Sequence, residues 1–133
     1  MVRTMLLVGE QRSILIVDPN AAIRRMLEVH LVGMGHSVAT CRSASEAIEL
    51  LNAGEFHLVV TESETPDGSG FDILRATQQH PSNHHIATII ISDRNHPERI
   101  MKALERGADD YLTKPISPAI VVARVAAVLD LQS

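Results

Sequence analysis

Five times along this chain a short apolar run gives way to a stretch patterned as an amphipathic helix. That alternation is the strongest constraint on the fold, because strands separated by helices pair in parallel and have their faces closed by those helices. The apolar runs fall at residues 13–17, 38–41, 58–61, 88–91 and 111–113. The fourth reads TIII with no polar alternation, the pattern of a strand covered on both faces, so it belongs at or near the sheet centre. The expected architecture is one α/β domain with three layers, α/β/α, of (βα)5 type.

The helical stretches carry their own start and stop signals. The first places Ile23, Met26, Leu27, His30, Leu31 and Met34 on one stripe, with Asn20 as N-cap and Gly33 and Gly35 at its end. In the second, Ser43 and Glu46 have capping-box spacing, Ala47, Ile48, Leu50 and Leu51 lie toward the buried side, and Gly54 stops it. Residues 71–79 form a third helix with Ile73 and Leu74 inward and Pro81 beyond it, and residues 97–106 a fourth, ending at Gly107. Ser117 and Pro118 read as N-cap and first helical residue of the last helix.

Size and charge exclude several classes. At 133 residues the chain can bury roughly two-thirds of the surface it exposes when unfolded. Cys41 is its one cysteine, so there is no internal disulfide, and a reducing cytoplasm is the expected location. A net charge of -4, with Phe56, Phe71 and Tyr111 the sole aromatic residues, argues against nucleic-acid binding. No apolar stretch approaches the ~20 residues that span a bilayer, so no membrane contact is expected. Residues 1–12 read as a tail and 13–131 as the domain, with no output domain expected after the last helix.

In open α/β sheets the chemistry gathers at the carboxyl ends of the strands. Asp18 ends ILIVD, Glu62 follows HLVVT, Ser92 closes TIIIS, and Lys114 with Pro115 follows Tyr111 in YLTKP. This arrangement resembles the receiver domain of bacterial response regulators, from about Ser13 to Leu131. The resemblance implies a flavodoxin-like fold with parallel strand order 2-1-3-4-5 and right-handed crossovers. It also implies partners: a histidine kinase that donates phosphate, or an output protein. By the same resemblance, an acidic pair after the first strand helps hold magnesium, and an aspartate after the third takes the phosphate. Ser92 matches the phosphate-sensing hydroxyl, Tyr111 the aromatic switch, and Lys114 and Pro115 the Lys-Pro pair.

Two positions depart from that pattern. Pro19 stands where the family has its second acid, and Glu62 stands where it has the phosphoacceptor aspartate. The metal set the resemblance implies would be Asp18, Glu62 and the backbone carbonyl of Glu64. With one carboxylate missing and another a methylene longer, the magnesium site is expected to be weak or absent, leaving no cofactor. Phosphoryl transfer depends on positioning, so an acceptor displaced by about 1 Å is expected to work poorly. The chain is therefore expected to be a signalling module, not an enzyme, acting through protein contacts without phosphorylation. Glu62 either imitates the phosphorylated state through Lys114 and Ser92 or sits solvated on a decayed rim. The alternative from another class is a working phosphoacceptor using Glu62 and magnesium.

Other features carry less. The last helix, PAIVVARVAAVL, has Arg124 as its one charged side chain, which points to a protein contact or homodimer through Ile120 and Val122, or to a mildly apolar outer face. The seven histidines lack the spacing of a zinc site. HPSNHH at residues 80–85 reads as a solvated loop, and Asp67 before Gly68 as turn chemistry. A nucleotide binder lacks its glycine-rich cradle here, and a hydrolase its nucleophile elbow.

Overall fold

Strands β1 (Ser13–Val17), β2 (Ser37–Cys41), β3 (Leu58–Glu62), β4 (Ala87–Ser92) and β5 (Asp110–Thr113) alternate with five helices in the computed structural model, which describes residues 11–94 and 96–132. The helices are α1 (Ala21–Gly33), α2 (Ala44–Ala53), α3 (Gly70–Gln79), α4 (Pro97–Glu105) and α5 (Pro118–Asp130). The strands form one parallel sheet in the order β2-β1-β3-β4-β5, the doubly wound arrangement expected. β3 and β4 reach further than their apolar runs, through Glu62 and Ser92. Backbone pairing of Glu62 with Ile91 and of Ser92 with Thr113 is indifferent to side-chain polarity.

Alternation across each strand sorts the core into two layers. Ile14 and Ile16 of β1 pack with Leu27 and Leu31 of α1 and Val121 and Val125 of α5. Leu15 and Val17 face the other way, onto Ala47 and Leu51 of α2 and Ile73 of α3. β4 is buried along its whole length, so each of its isoleucines stabilises the fold by about 1.5–3 kcal/mol. In β5 the same alternation sends Leu112 to the first layer and Tyr111 to a cluster with Leu74, Ile90, Ala103 and Ala108 under α3 and α4.

Several local expectations change in the folded chain. Ser43 caps α2 by accepting from the Glu46 amide, but Glu46 Oε1 accepts from the Arg42 amide at 3.3 Å, one residue before the cap. The complete capping box belongs to α3, between Ser69 and Asp72. Ser117 occupies the N-cap of α5 without a side-chain bond to the helix. Glu64–Thr65 and Gly68–Ser69 pair as a small antiparallel ribbon that no apolar pattern announced.

Residues 80–85 form the solvated loop expected, with none of them buried, but two of its histidines are tied down. His80 Nε2 lies 2.8 Å from the Leu51 carbonyl and His84 Nε2 lies 3.1 Å from that of Phe56. Imidazoles there satisfy carbonyls left open in the last turn of α2 and just after it. Arg12, assigned to the tail, is buried and donates to the Leu129 carbonyl at 3.4 Å, so the domain's packing begins one residue earlier. Residues 1–10 of that tail lie outside the described residues.

Candidate functional site

Parallel register brings four chain-distant side chains to one rim. Asp18 follows the last residue of β1, Glu62 and Ser92 end β3 and β4, and Lys114 follows β5, its amide donating to the Ser92 carbonyl at 2.8 Å. The Ser63 amide likewise donates to Ile91 O at 2.9 Å, which carries the ladder one step past Glu62. The chain then turns back tightly, with the Gly70 amide donating to Ser63 O at 2.8 Å. A Cβ on Gly70 would stand 3.2 Å from the Glu62 carbonyl oxygen, so glycine permits this close return.

Lys114 Nζ bridges the two acids, 2.6 Å from Glu62 Oε1 and 3.2 Å from Asp18 Oδ2. The Asp18 carboxylate is almost fully buried and Glu62 is largely so, which strengthens the attraction relative to a surface pair. Burial alone would depress the Lys114 ammonium. Its hydrogen bond to Glu62 and the negative charge of Asp18 outweigh that and hold it above the usual lysine range.

The remaining carboxylate oxygens are also engaged. Glu62 Oε2 accepts from the Ser63 amide, from the Ser63 hydroxyl at 3.0 Å and from the Glu64 amide at 3.3 Å. Asp18 Oδ1 accepts from the Asn20 amide at 2.9 Å. The Ser63 and Ser92 hydroxyls are 2.6 Å apart, and Ser92 Oγ accepts from the Arg94 amide at 2.9 Å. Ser92 therefore meets Glu62 through Ser63. Ser63 was missed in the sequence because a lone serine beyond a strand end carries no pattern.

Around this centre the rim is braced by longer side chains. Tyr111 is buried and its hydroxyl donates to the Arg94 carbonyl at 2.7 Å. Arg94 Nε pairs with Glu64 Oε2 at 2.9 Å, and Arg99 Nη2 approaches the same oxygen at 3.8 Å, so the Glu64 side chain turns away from Lys114's two acids. Arg24 Nη1 donates to the carbonyls of Asp18 and Pro19 at 2.8 and 3.2 Å. The Lys114-Pro115 peptide bond is cis.

Asp67, read from the sequence as turn chemistry, reaches back to α2. Its carboxylate accepts from the Ala44 and Ser45 amides at 2.9 and 3.2 Å, at a helix end that favours negative charge. On α5, Val121, Val125, Val128 and Leu129 are buried, Ile120 is 51% exposed and Val122 is half-buried. Cys41 is buried, and that burial pushes its thiol up to about 11, so it is protonated at neutral pH.

Residues 14–126 match the family described as response regulator receiver domain. The chain belongs to that receiver family. It is 33% identical over 117 residues to the transcriptional regulatory protein AfsQ1 of Streptomyces coelicolor, covering 88% of this chain and 51% of that one. It is 31% identical over 109 residues to the two-component response regulator ORR3 of Oryza sativa subsp. indica, covering 81% and 83% of the two chains. The receiver thus spans about half the length of some curated relatives it matches. The BeF3-activated DrrB receiver domain superposes with TM-score 0.78 at 32% identity, covering 91% of this chain and 99% of that one. A CheY-like receiver from Methanospirillum hungatei superposes with TM-score 0.83 at 27% identity, covering 92% and 97%.

Receivers are signalling modules, and the family implies magnesium at this rim. The residues of this receiver do not fit that ion. Magnesium asks for octahedral oxygen ligands, usually one or two carboxylates with waters and phosphate. Pro19 supplies no carboxylate, an ammonium already joins Asp18 Oδ2 to Glu62 Oε1, and the other two carboxylate oxygens accept from amides. Among the described residues no three His, Cys, Asp or Glu side chains converge as metal ligands.

Proposed function

We propose that this receiver is a cytoplasmic module that signals through protein contacts without being phosphorylated. The observation that carries the reading is the state of Glu62. Both its oxygens are taken, one by the Lys114 ammonium and the other by donors from Ser63 and Glu64. A carboxylate so occupied is a poor nucleophile, and in-line attack on a phosphoryl group tolerates little misplacement. The same donors would suit the oxygens of a phosphoryl group, so the longer side chain stands in for one. Buried Ser92 and inward Tyr111 accord with a rim held in that single arrangement.

The partner is another protein of the pathway, a histidine kinase or an output protein. ORR3 is a two-component response regulator of which this chain covers 83%, and AfsQ1 is a transcriptional regulator about twice as long as the region matched. The exposed Ile120 on α5 offers a contact surface, including one between two copies of the chain.

Incubation with acetyl phosphate and magnesium, followed by intact mass, tests the reading. The wild-type chain stays unmodified, and joint substitution of Pro19→Asp and Glu62→Asp gains a phosphoryl adduct. A stoichiometric adduct on the wild-type chain, lost in Glu62→Ala, would establish the other reading, a working phosphoacceptor.

A further inference from the structure

Away from the rim, α3 and the end of α4 border an open hollow of about 300 Å³ lined by Phe71, Leu74, Arg75, Gln78 and Arg106. Lys102 Nζ lies 5.3 Å from the Phe71 ring centroid and the Arg106 guanidinium carbon 5.5 Å, so two cations flank one aromatic ring. No ion pair among the described residues includes Arg75, Lys102 or Arg106. Arg94, Arg99, Lys114 and Arg124 each have a carboxylate. Two cations without carboxylates thus line one hollow and Lys102 stands over its Phe71 ring, in a chain whose net charge is -4.

The hollow is held in shape. Gln78 Nε2 donates to the Arg106 carbonyl at 2.6 Å, tying α3 to the end of α4. Gly107 has φ +105°, and a Cβ there would stand 2.5 Å from Gln78 Nε2, so the tie requires glycine. Beneath, buried Leu74 and partly buried Phe71 pack in the same cluster as Tyr111.

We propose that this seam docks an acidic segment of a partner protein, its carboxylates seated on Arg75 and Arg106. Guanidinium forks match carboxylates in geometry and charge, and the two that line the hollow have no carboxylate of this chain to satisfy them. Nucleic acid fits less well. Exposed Glu98 and Glu105 share α4 with Lys102, and a duplex carrying one negative charge per ~1.7 Å cannot avoid them. A peptide places its charges on Arg75 and Arg106 and spares the glutamates. The proposal does not depend on whether Glu62 takes phosphate.

The probe is a fluorescein-labelled synthetic peptide of alternating Glu and Gly, titrated with the full chain without magnesium or acetyl phosphate. Anisotropy should show saturable, salt-sensitive binding, weakened about tenfold by Arg75→Glu and again by Arg106→Gln, the worth of a charged hydrogen bond at each site. Amide shifts should concentrate at residues 71–78 and 102–107. Both substituted side chains are exposed, and a circular-dichroism melt checks that the fold persists, with Arg75→Gln replacing Arg75→Glu if it does not. Absence of saturation, affinity unchanged by both substitutions, or equal binding of a Lys-Gly peptide or a single-stranded oligonucleotide would overturn the proposal.

Discussion

The hydroxyl of Ser63 stands 2.6 Å from that of Ser92 and 3.0 Å from Glu62 Oε2, so a buried serine joins the end of β4 to the Glu62 carboxylate. Both contacts use the Ser63 hydroxyl as donor, and one proton serves one bond at a time, so Glu62 Oε2 and Ser92 Oγ share it. In this arrangement Ser92 is coupled to Glu62 through a third residue.

Removing that link has a measurable cost. Ser63→Ala takes the hydroxyl donor away from both buried Ser92 Oγ and Glu62 Oε2, and urea denaturation should show a loss of about 1–3 kcal/mol. An unchanged midpoint would mean that Ser92 finds another partner.

Lys114 gives the alkaline limb of the stability curve. Its ammonium is held above the ordinary 10.5, so the folded state binds that proton more tightly than the unfolded chain does. The stabilisation is complete below the unfolded value and is lost as pH rises through the folded one. Lys114→Met should flatten stability above about pH 10 relative to wild type. It should also cost roughly 2–3 kcal/mol at neutral pH, because Asp18 and Glu62 then face one another without a cation.

Asp67 should protect amides that it reaches across the structure. Asp67→Ala should speed hydrogen exchange at Ala44 and Ser45 and leave the α4 amides unchanged. Hydrogen bonds from Ser45, Ala44 and Thr65 outweigh desolvation and hold the Asp67 carboxyl below its usual 3.8. The cap is therefore present above that pH and is lost as pH falls through the folded value.

Ile120 tests the α5 surface. Light scattering should show mass rising with concentration for the wild type and a constant monomer mass for Ile120→Asp. Val122 is more covered, so Val122→Asp should also lower thermal stability.

The folded chain also explains where its sequence was transparent. The TIII run, the helical stripe from Ile23 to Met34 and the Pro118 start of α5 located elements within a residue or two, because burial of alternate or periodic side chains is written locally. The rim positions of Asp18, Glu62, Ser92 and Lys114 followed from the same runs, since parallel strands end together. Glu46 and Asp67 were opaque. Which amide a short polar side chain reaches depends on what the fold places beside it.

The sequence by itself determined the alternation of strands and helices, the buried faces, and the replacement of two acids by Pro19 and Glu62. Tertiary structure alone decided that Lys114 meets Asp18 across 96 positions of chain, that Ser63 stands between Glu62 and Ser92, and that Arg75 and Arg106 share a hollow without a carboxylate. Periodicity records how each segment meets solvent, whereas partners distant in the chain are chosen by sheet register and helix packing, which no single segment contains.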